Sequence, residues 1–398
     1  MVAVTKPIAG SPAVTIALCF LVAVVEGFDI QAIGVAAPRL APQFGLSPGQ
    51  MGWIFAISNI GLVIGASMGG WLADRVGRRP VFVGSVLIFG TFTLLTTLTS
   101  TFSPLFAVRF CAGLGFGAAL PNMMAVATEI SVPRRRAITA AAMFCGMPLG
   151  GGSSALLTQL LPPDFDWRVL FIVGGIFPLL LAPALHLLMA ETLERGTATT
   201  SRTSVWHALF GEGRAPATLL LWLAFLPTLL ILYLILNWLP TLVVAKGMAR
   251  AVAPQASMLF NFGSVAGALL CGWLVDRLDA RWPLTIAYLG LIIALFALSQ
   301  SNSMGAIIAL SGAAGFFLLG ANYALYGVAP AYYPATIRGT GSGASVAMGR
   351  VGSIIGPLLA GALLGSGTSA SGVVAYLIPV AAVAGIAVFG LSFVRRTH

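Results

Sequence analysis

Gly70-Trp71-Leu72-Ala73-Asp74-Arg75-Val76-Gly77-Arg78-Arg79 is answered in the second half of the chain by Gly272-Trp273-Leu274-Val275-Asp276-Arg277-Leu278-Asp279-Ala280-Arg281. Gly, Trp, Leu, Asp and Arg keep the same spacing in both decapeptides. Each decapeptide closes an apolar run, the second run of its half. Internal repetition on this scale is how secondary transporters are built.

Reading outward from the repeat, continuous apolar runs are separated by charged or Pro/Gly punctuation. They place membrane-spanning helices at about 14–37, 51–73, 81–100, 104–128, 137–161 and 168–190. Six more lie at about 217–243, 253–275, 283–300, 304–329, 338–364 and 371–394. Between the sixes runs the long polar stretch 191–216, with Glu191, Glu194, Arg195, Arg202, Glu212 and Arg214 among Thr and Ser. The expected organisation is a six-helix half over 1–190, a linker over 191–216 and a second six-helix half over 217–398. The fold class is an all-α integral membrane protein.

Composition agrees. Only 8% of the 398 residues are charged and 58% are hydrophobic, against roughly 25% charged in a soluble domain. So few charges cannot cover a water-facing surface. Disorder needs the opposite composition. A β-barrel would show short alternating segments rather than continuous runs. The net charge of +10 is spread in short bursts between apolar runs, so it speaks for membrane topology and not for nucleic acid.

Sorting Lys and Arg by loop gives the orientation. One side holds Lys6, Arg75, Arg78, Arg79, Arg134, Arg135, Arg136, Arg195, Arg202, Arg214, Arg277, Arg281, Arg338, Arg395 and Arg396. The other holds Arg39, Arg168, Lys246 and Arg250. Both termini and the linker are therefore expected on the cytoplasmic side. The stretch after Lys6 carries Glu26 and Asp29, so it is read as a retained first helix and not as a signal peptide. Cys19, Cys111, Cys145 and Cys271 lie inside apolar runs, where neither a disulfide framework nor a metal site is expected. The histidines at 186, 207 and 398 fall in or near the cytoplasmic segments. No phosphate-loop motif is present, which argues against an ATP-driven pump. No cofactor is expected.

Ionisable residues inside spans cost roughly 2.5–3.5 kcal/mol on insertion scales, so they are functional candidates. Four stand out: Glu26 and Asp29 in span 1, Arg109 in span 4 and Arg350 in span 11. Their charges balance, which suggests a polar cavity between the halves. Glu26 and Asp29, at i and i+3, share a helix face. Two carboxylates that close repel when both are ionised, so one is expected to hold a proton near neutral pH. That suits proton coupling; the alternative is a buried ion pair with a neighbouring helix. Arg109 is either part of the site or an interface snorkeller. Gly113 and Gly117 beyond it form a seam for close helix packing. Arg350 is too deep to snorkel easily, and its planar fork fits a carboxylate; the alternative is a structural salt bridge.

Asp74, with Arg75, Arg78 and Arg79, and with Glu129 and Arg136 in the same layer, reads as a cytoplasmic latch whose arginines pair with acidic groups of the other half. Topology anchoring alone would explain Arg78 and Arg79 but not Asp74 or Glu129. Span 5 is dense in Pro148 and glycine, which permits bending. Span 7 carries Asn237-Trp238-Leu239-Pro240 near its outer end, where Trp often marks the interface. Asn59, Asn322, Tyr323 and Tyr326 can line an aromatic ligand site or serve as interhelical glue.

These residues resemble a known family. Six plus six spans with Gly70-x-Leu-Ala-Asp74-Arg75-x-Gly77-Arg78-Arg79 look like the major facilitator superfamily, and the segment from Arg109 is similar to its second motif. Glu26-Gly27-Phe28-Asp29 resembles the aromatic acid:proton symporters, whose usual pattern has Asp at the first position. Met51-Gly-Trp-Ile-Phe55, Gly117-Ala-Ala-Leu-Pro-Asn122 and Asn237-Trp-Leu-Pro240 look most like bacterial 3-(3-hydroxyphenyl)propionate transporters. The resemblance implies coupling by Asp29 and Glu26, a gate role for Asp74, and transport roles for Arg109, Glu129, Arg338 and Arg350; Gly70, Arg75, Gly77, Arg78, Arg79 and Glu129 are placed in the same gate. Arg338 and Arg136 are grouped with the gate. The expected function is proton-driven import of a small aromatic carboxylate through the bacterial cytoplasmic membrane, by a monomer in the bilayer, with no nucleic-acid partner. The rivals are a proton-coupled drug exporter of the same superfamily and a membrane-embedded enzyme or sensor.

Overall fold

A computed structural model describes residues 11–132, 136–162, 164–189 and 204–394. Among them the chain forms α1 (Pro12–Gln43), α2 (Pro48–Val76), α3 (Arg78–Thr96), α4 (Phe102–Glu129), α5 (Arg136–Leu160) and α6 (Arg168–Leu188). Then follow a short α7 (Val205–Phe210), α8 (Ala215–Ala245), α9 (Val252–Arg277), α10 (Arg281–Gln300), α11 (Met304–Val328), α12 (Arg338–Gly365) and α13 (Ala370–Leu391). All but α7 are long and apolar enough to cross a membrane, which makes twelve spans. At 1.5 Å per residue, about 20 residues cover the hydrocarbon core.

Local chemistry sets the helix ends. Pro12 stands in the first turn of α1, where its missing N–H costs nothing. Ser47 and Gln50 form a reciprocal capping box at the start of α2, with Ser47 N–H donating to Gln50 Oε1 at 2.9 Å and Gln50 N–H to Ser47 Oγ at 3.2 Å. The sequence places the third span at 81–100, but α3 stops at Thr96. Thr97 and Thr99 donate their hydroxyls to Leu94 O and Thr96 O, competing with the helical ladder. The stretch read as a plain linker holds α7, tied down by Arg214. Its Nε donates to Ala208 O at 2.9 Å and its Nη2 to His207 O at 3.1 Å. Arg214 also pairs with Glu212 at 2.5 Å and holds that carboxyl below its ordinary range. Residues 191–203 of the linker lie outside the described residues.

By contacts the chain divides into two compact units: Met1–Phe44, Ile57–Leu157 and Leu161–Thr197, and Gly45–Ala56, Thr158–Leu160 and Ala198–His398. In the first unit Phe82 and Phe89 of α3 pack with Phe116 and Met123 of α4 and Leu18 and Val22 of α1. The Phe89 and Phe116 rings lie 4.8 Å apart. A Cβ on Gly113 or Gly117 would overlap the α2 backbone at Ser58 or Leu62, so only glycine allows this approach. The second unit repeats the device. Gly263 and Gly267 of α9 abut the backbone of Gly312 and Phe316 in α11. Gly150 of α5 against Val24 of α1 has its counterpart in Gly352 of α12 against Leu226 of α8. The repeat first visible in one decapeptide thus extends to the way helices approach.

In the second unit, Lys246 caps a neighbouring helix. Its ammonium donates to Leu298 O at 2.9 Å, Ser299 O at 3.1 Å and Ser301 O at 2.9 Å. These are carbonyls at the end of α10, where the helix dipole favours a cation. Lys246→Met is expected to lower stability by about 2 kcal/mol. The check is the denaturation midpoint in detergent, together with faster hydrogen exchange in the last turn of α10. An unchanged last turn would show that the cap contributes nothing.

Candidate functional site

Two polar clusters stand out, one within each unit. In the first unit, α1 turns Glu26 and Asp29 inward, and both are fully buried. Arg109 sits about 10 Å into α4, counted at 1.5 Å per residue from Phe102. Its side chain is fully buried and forks onto Asp29, with Nη2 2.9 Å from Oδ2 and Nη1 3.3 Å from Oδ1. The Phe171 ring of α6 lies 5.8 Å from the guanidinium carbon, within cation–π range. Arg109 Nε is buried without a hydrogen-bond partner. The snorkelling alternative for Arg109 therefore fails. The side chain does not reach for an interface, because a buried carboxylate on α1 offers a two-point match to its planar fork. Such a pair is held by mutual need, since either charge alone would be stranded in a medium of low dielectric.

In the second unit, α12 carries Arg350, half-buried. Its Nη1 donates to the Tyr233 hydroxyl of α8 at 2.9 Å. The Tyr326 phenol of α11 is close enough to interact electrostatically with both Arg350 and Tyr233. The Tyr326 ring meets Phe225 of α8 edge-on, centroids 5.3 Å apart. One turn earlier on α11, Asn322 is buried and its Oδ1 has no hydrogen-bond partner. Tyr323 is half-buried on the same helix. Asn59 is buried on α2 in the first unit. The structure thus joins Arg350 to Tyr233 of α8, the helix whose Phe225 meets Tyr326, and leaves Arg109 with Asp29.

Tyr233 went unnoticed in the sequence. Its signal was the i, i+4 relation to Asn237, whose Nδ2 donates to Tyr233 O at 2.7 Å. That bond anchors the α8 backbone at the tyrosine. Phe171 was missed as well, since an apolar ring in an apolar span carries no mark of its own.

The decapeptide after α2 also takes shape. Gly77 joins α2 to α3 at φ +104°, a conformation that favours glycine. Arg78, first residue of α3, pairs with Glu129, last residue of α4. The expectation for Arg78 included pairing with acidic groups of the other half; the ion pair seen is a local one. Arg78 finds its ion-pair partner within its own unit, because α3 and α4 pack side by side and bring those two ends together. Arg75 lies over the Trp71 ring at 3.8 Å, and Arg277 repeats this over Trp273 at 4.5 Å. Asp74 is exposed, Arg79 half-buried and Gly70 partly exposed. Arg338 is exposed, its Nε 3.5 Å from Tyr333 O. The side chain of Arg136 lies outside the described residues.

Twelve spanning helices, two units with the same glycine-mediated approaches and a charged pair sealed inside one of them define a polytopic membrane protein. A model of the Major Facilitator Superfamily matches residues 19–299 and 247–398. The chain belongs to that superfamily, and it is a membrane transporter rather than an enzyme. It is 41% identical to the 3-(3-hydroxy-phenyl)propionate transporter of Escherichia coli (strain K12), over 94% of this chain and 93% of that protein. It is 33% identical to the 4-hydroxybenzoate transporter PcaK of Pseudomonas putida, over 94% and 91%. It is also 33% identical to a gallate transporter of the same species, over 91% and 88%. Among solved structures, a D-xylose-proton symporter superposes with a TM-score of 0.75 at 17% identity, over 96% of this chain and 98% of that one. That likeness is one of fold.

Proposed function

We propose that this protein imports a small aromatic carboxylate, hydroxyphenylpropionate-like or hydroxybenzoate-like, together with protons, by alternating access. The observation that carries the reading is the half-buried Arg350 held by Tyr233 beside the Tyr326 and Phe225 rings. A guanidinium takes a carboxylate through two parallel hydrogen bonds, and the neighbouring rings offer edges and faces to an aromatic ligand. The buried Asn322 Oδ1 supplies an acceptor for a substrate hydroxyl, since a buried acceptor is costly when left unmatched. The names of the relatives support the same substrate class.

Proton coupling is assigned to Asp29 and Glu26. An anion entering against a negative interior is opposed by about 2.3 kcal/mol per charge per 100 mV, and one co-transported proton removes that opposition. Protonating Asp29 removes the charge that holds Arg109, so the ion pair is a natural element to exist in two states. Asp74, Arg75, Arg78, Arg79, Glu129, Arg136 and Arg338 form the cytoplasmic gate in this reading, with Gly70 and Gly77 shaping its turn. Residues 1–190 and 217–398 act as the two moving halves of a monomer, joined by the 191–216 linker. Both termini face the cytoplasm and the membrane is the bacterial inner one. A cation-exporting drug pump is disfavoured, because Arg350 would repel its ligand.

The test is uptake of labelled benzoates, phenylacetates and phenylpropanoates into proteoliposomes under an imposed pH gradient. Accumulation of none of them would overturn the substrate class, and accumulation unaffected by collapsing the gradient would overturn coupling. Tyr233→Phe is expected to raise KM about tenfold with little change in the maximal rate, because the hydroxyl orients Arg350 for binding. Equal KM values would remove Tyr233 from the site.

A further inference from the structure

On the outside of the first unit, the facing ends of α2 and α3 leave a groove of about 340 Å³ against α4. Met68, Trp71 and Leu72 of α2, Gly84 and Ile88 of α3 and Leu114 of α4 are among its lining residues. Met68 is 62% exposed and Trp71 56%. The surface is apolar, as a hydrocarbon neighbour requires. It also lies at one end of the helices, since Trp71 is near the end of α2 and Gly84 near the start of α3. Trp at this level marks the membrane–water interface.

An arginine stands at the mouth of the groove. The Arg75 guanidinium lies 3.8 Å over the Trp71 ring, which lines the groove. Arg78 and Arg79 begin α3 just beyond. The acidic groups nearby are Asp74, exposed and next to Arg75 in the chain, and Glu129, which pairs with Arg78. An apolar slot with an excess of arginine at its interfacial end matches a two-part ligand, a hydrocarbon chain joined to an anionic head. A small aromatic carboxylate has no chain to lay in such a slot, so this site is separate from the Arg350 cluster.

We propose that this groove binds an anionic phospholipid, one acyl chain against Gly84 and Leu114 and the phosphate against Arg75. Basic pockets between spanning helices recognise anionic headgroups in this way. The Arg277–Trp273 stack at the equivalent place in the second unit shows that the sequence repeat builds the same interfacial arginine twice.

The experiment titrates phosphatidylglycerol and phosphatidylcholine of identical chains into the full-length protein in detergent and reads bound lipid by native mass spectrometry. Phosphatidylglycerol should bind more tightly than phosphatidylcholine. Arg75→Gln should weaken phosphatidylglycerol about fivefold and leave phosphatidylcholine unchanged. Gly84→Leu should weaken both lipids, because the new side chain occupies the slot. A Cβ at Gly84 meets nothing within 4 Å, so the new side chain starts in open space rather than against a neighbouring helix. If G84L does not elute as a monodisperse species, Ile88→Trp at the groove carries the same expectation. Glycerol phosphate, the headgroup without its chain, should not displace the lipid. Equal affinity for the two lipids, displacement by glycerol phosphate, or unaltered binding in the folded groove variant would each overturn the proposal.

Discussion

Asp29→Asn is expected to abolish concentrative uptake and to destabilise the fold by about 3–5 kcal/mol, the cost of stranding a buried partner charge. Both effects trace to one contact, the fork of Arg109 on Asp29 with neither side chain exposed. Coupling and stability must therefore be separated. The double variant Asp29→Asn with Arg109→Met removes both charges and is expected to recover most of the stability, since a neutral or apolar replacement of a whole pair is often tolerated. It should still fail to accumulate substrate in response to a pH gradient while permitting downhill exchange. Stability is read from denaturation in detergent, and coupling from proteoliposome uptake with and without the gradient. Gradient-driven accumulation by the double variant would sink the assignment of Asp29 to coupling. Glu26→Gln, tested in the same assay, separates the two carboxylates: loss of coupling there with normal stability would place the proton on Glu26.

Arg350→Ala is expected to raise KM for aromatic carboxylates by about tenfold to a hundredfold, the range for a hydrogen bond to a charged group. Arg350→Lys should recover only part of this, since an ammonium keeps the charge but loses the planar two-point match and the directed bond to Tyr233. The corresponding amide of the substrate should lose its discrimination between wild type and variant, because it carries no charge for Arg350 to meet. Wild-type KM for the acid in Arg350→Ala would remove this residue from substrate recognition. Rescue of transport by a cationic analogue of similar shape in that variant would instead favour the drug-exporter reading.

Much of the architecture was legible in residue order. Spans of about 20 apolar residues set the helix count, because a hydrocarbon layer accepts only helices that satisfy their own backbone. The Gly70–Arg79 and Gly272–Arg281 repeat marked a chain built from two like halves. The scarcity of charge made Glu26, Asp29, Arg109 and Arg350 visible as residues that lipid would not tolerate without cause. Helix ends were less legible where hydroxyl side chains compete with the ladder, as at Thr97 and Thr99, or where a helix is as short as α7.

Partnership was not legible, since it depends on which helix faces stand opposite one another. From the sequence Asp29 had as much claim on one arginine as on another, and Arg78 as much on a distant carboxylate as on Glu129. Packing assigned Asp29 to Arg109, Arg350 to Tyr233 and Arg78 to Glu129. The glycine contact of α12 with α8 belongs to the same decision, because Gly352 and Gly356 bring the two helices close enough for Arg350 to reach Tyr233. Continuous apolar runs and charge placement settle that the chain is a twelve-helix membrane protein, since each span answers to the bilayer. Which charges meet answers to the neighbouring helix, and that is a property of the folded chain.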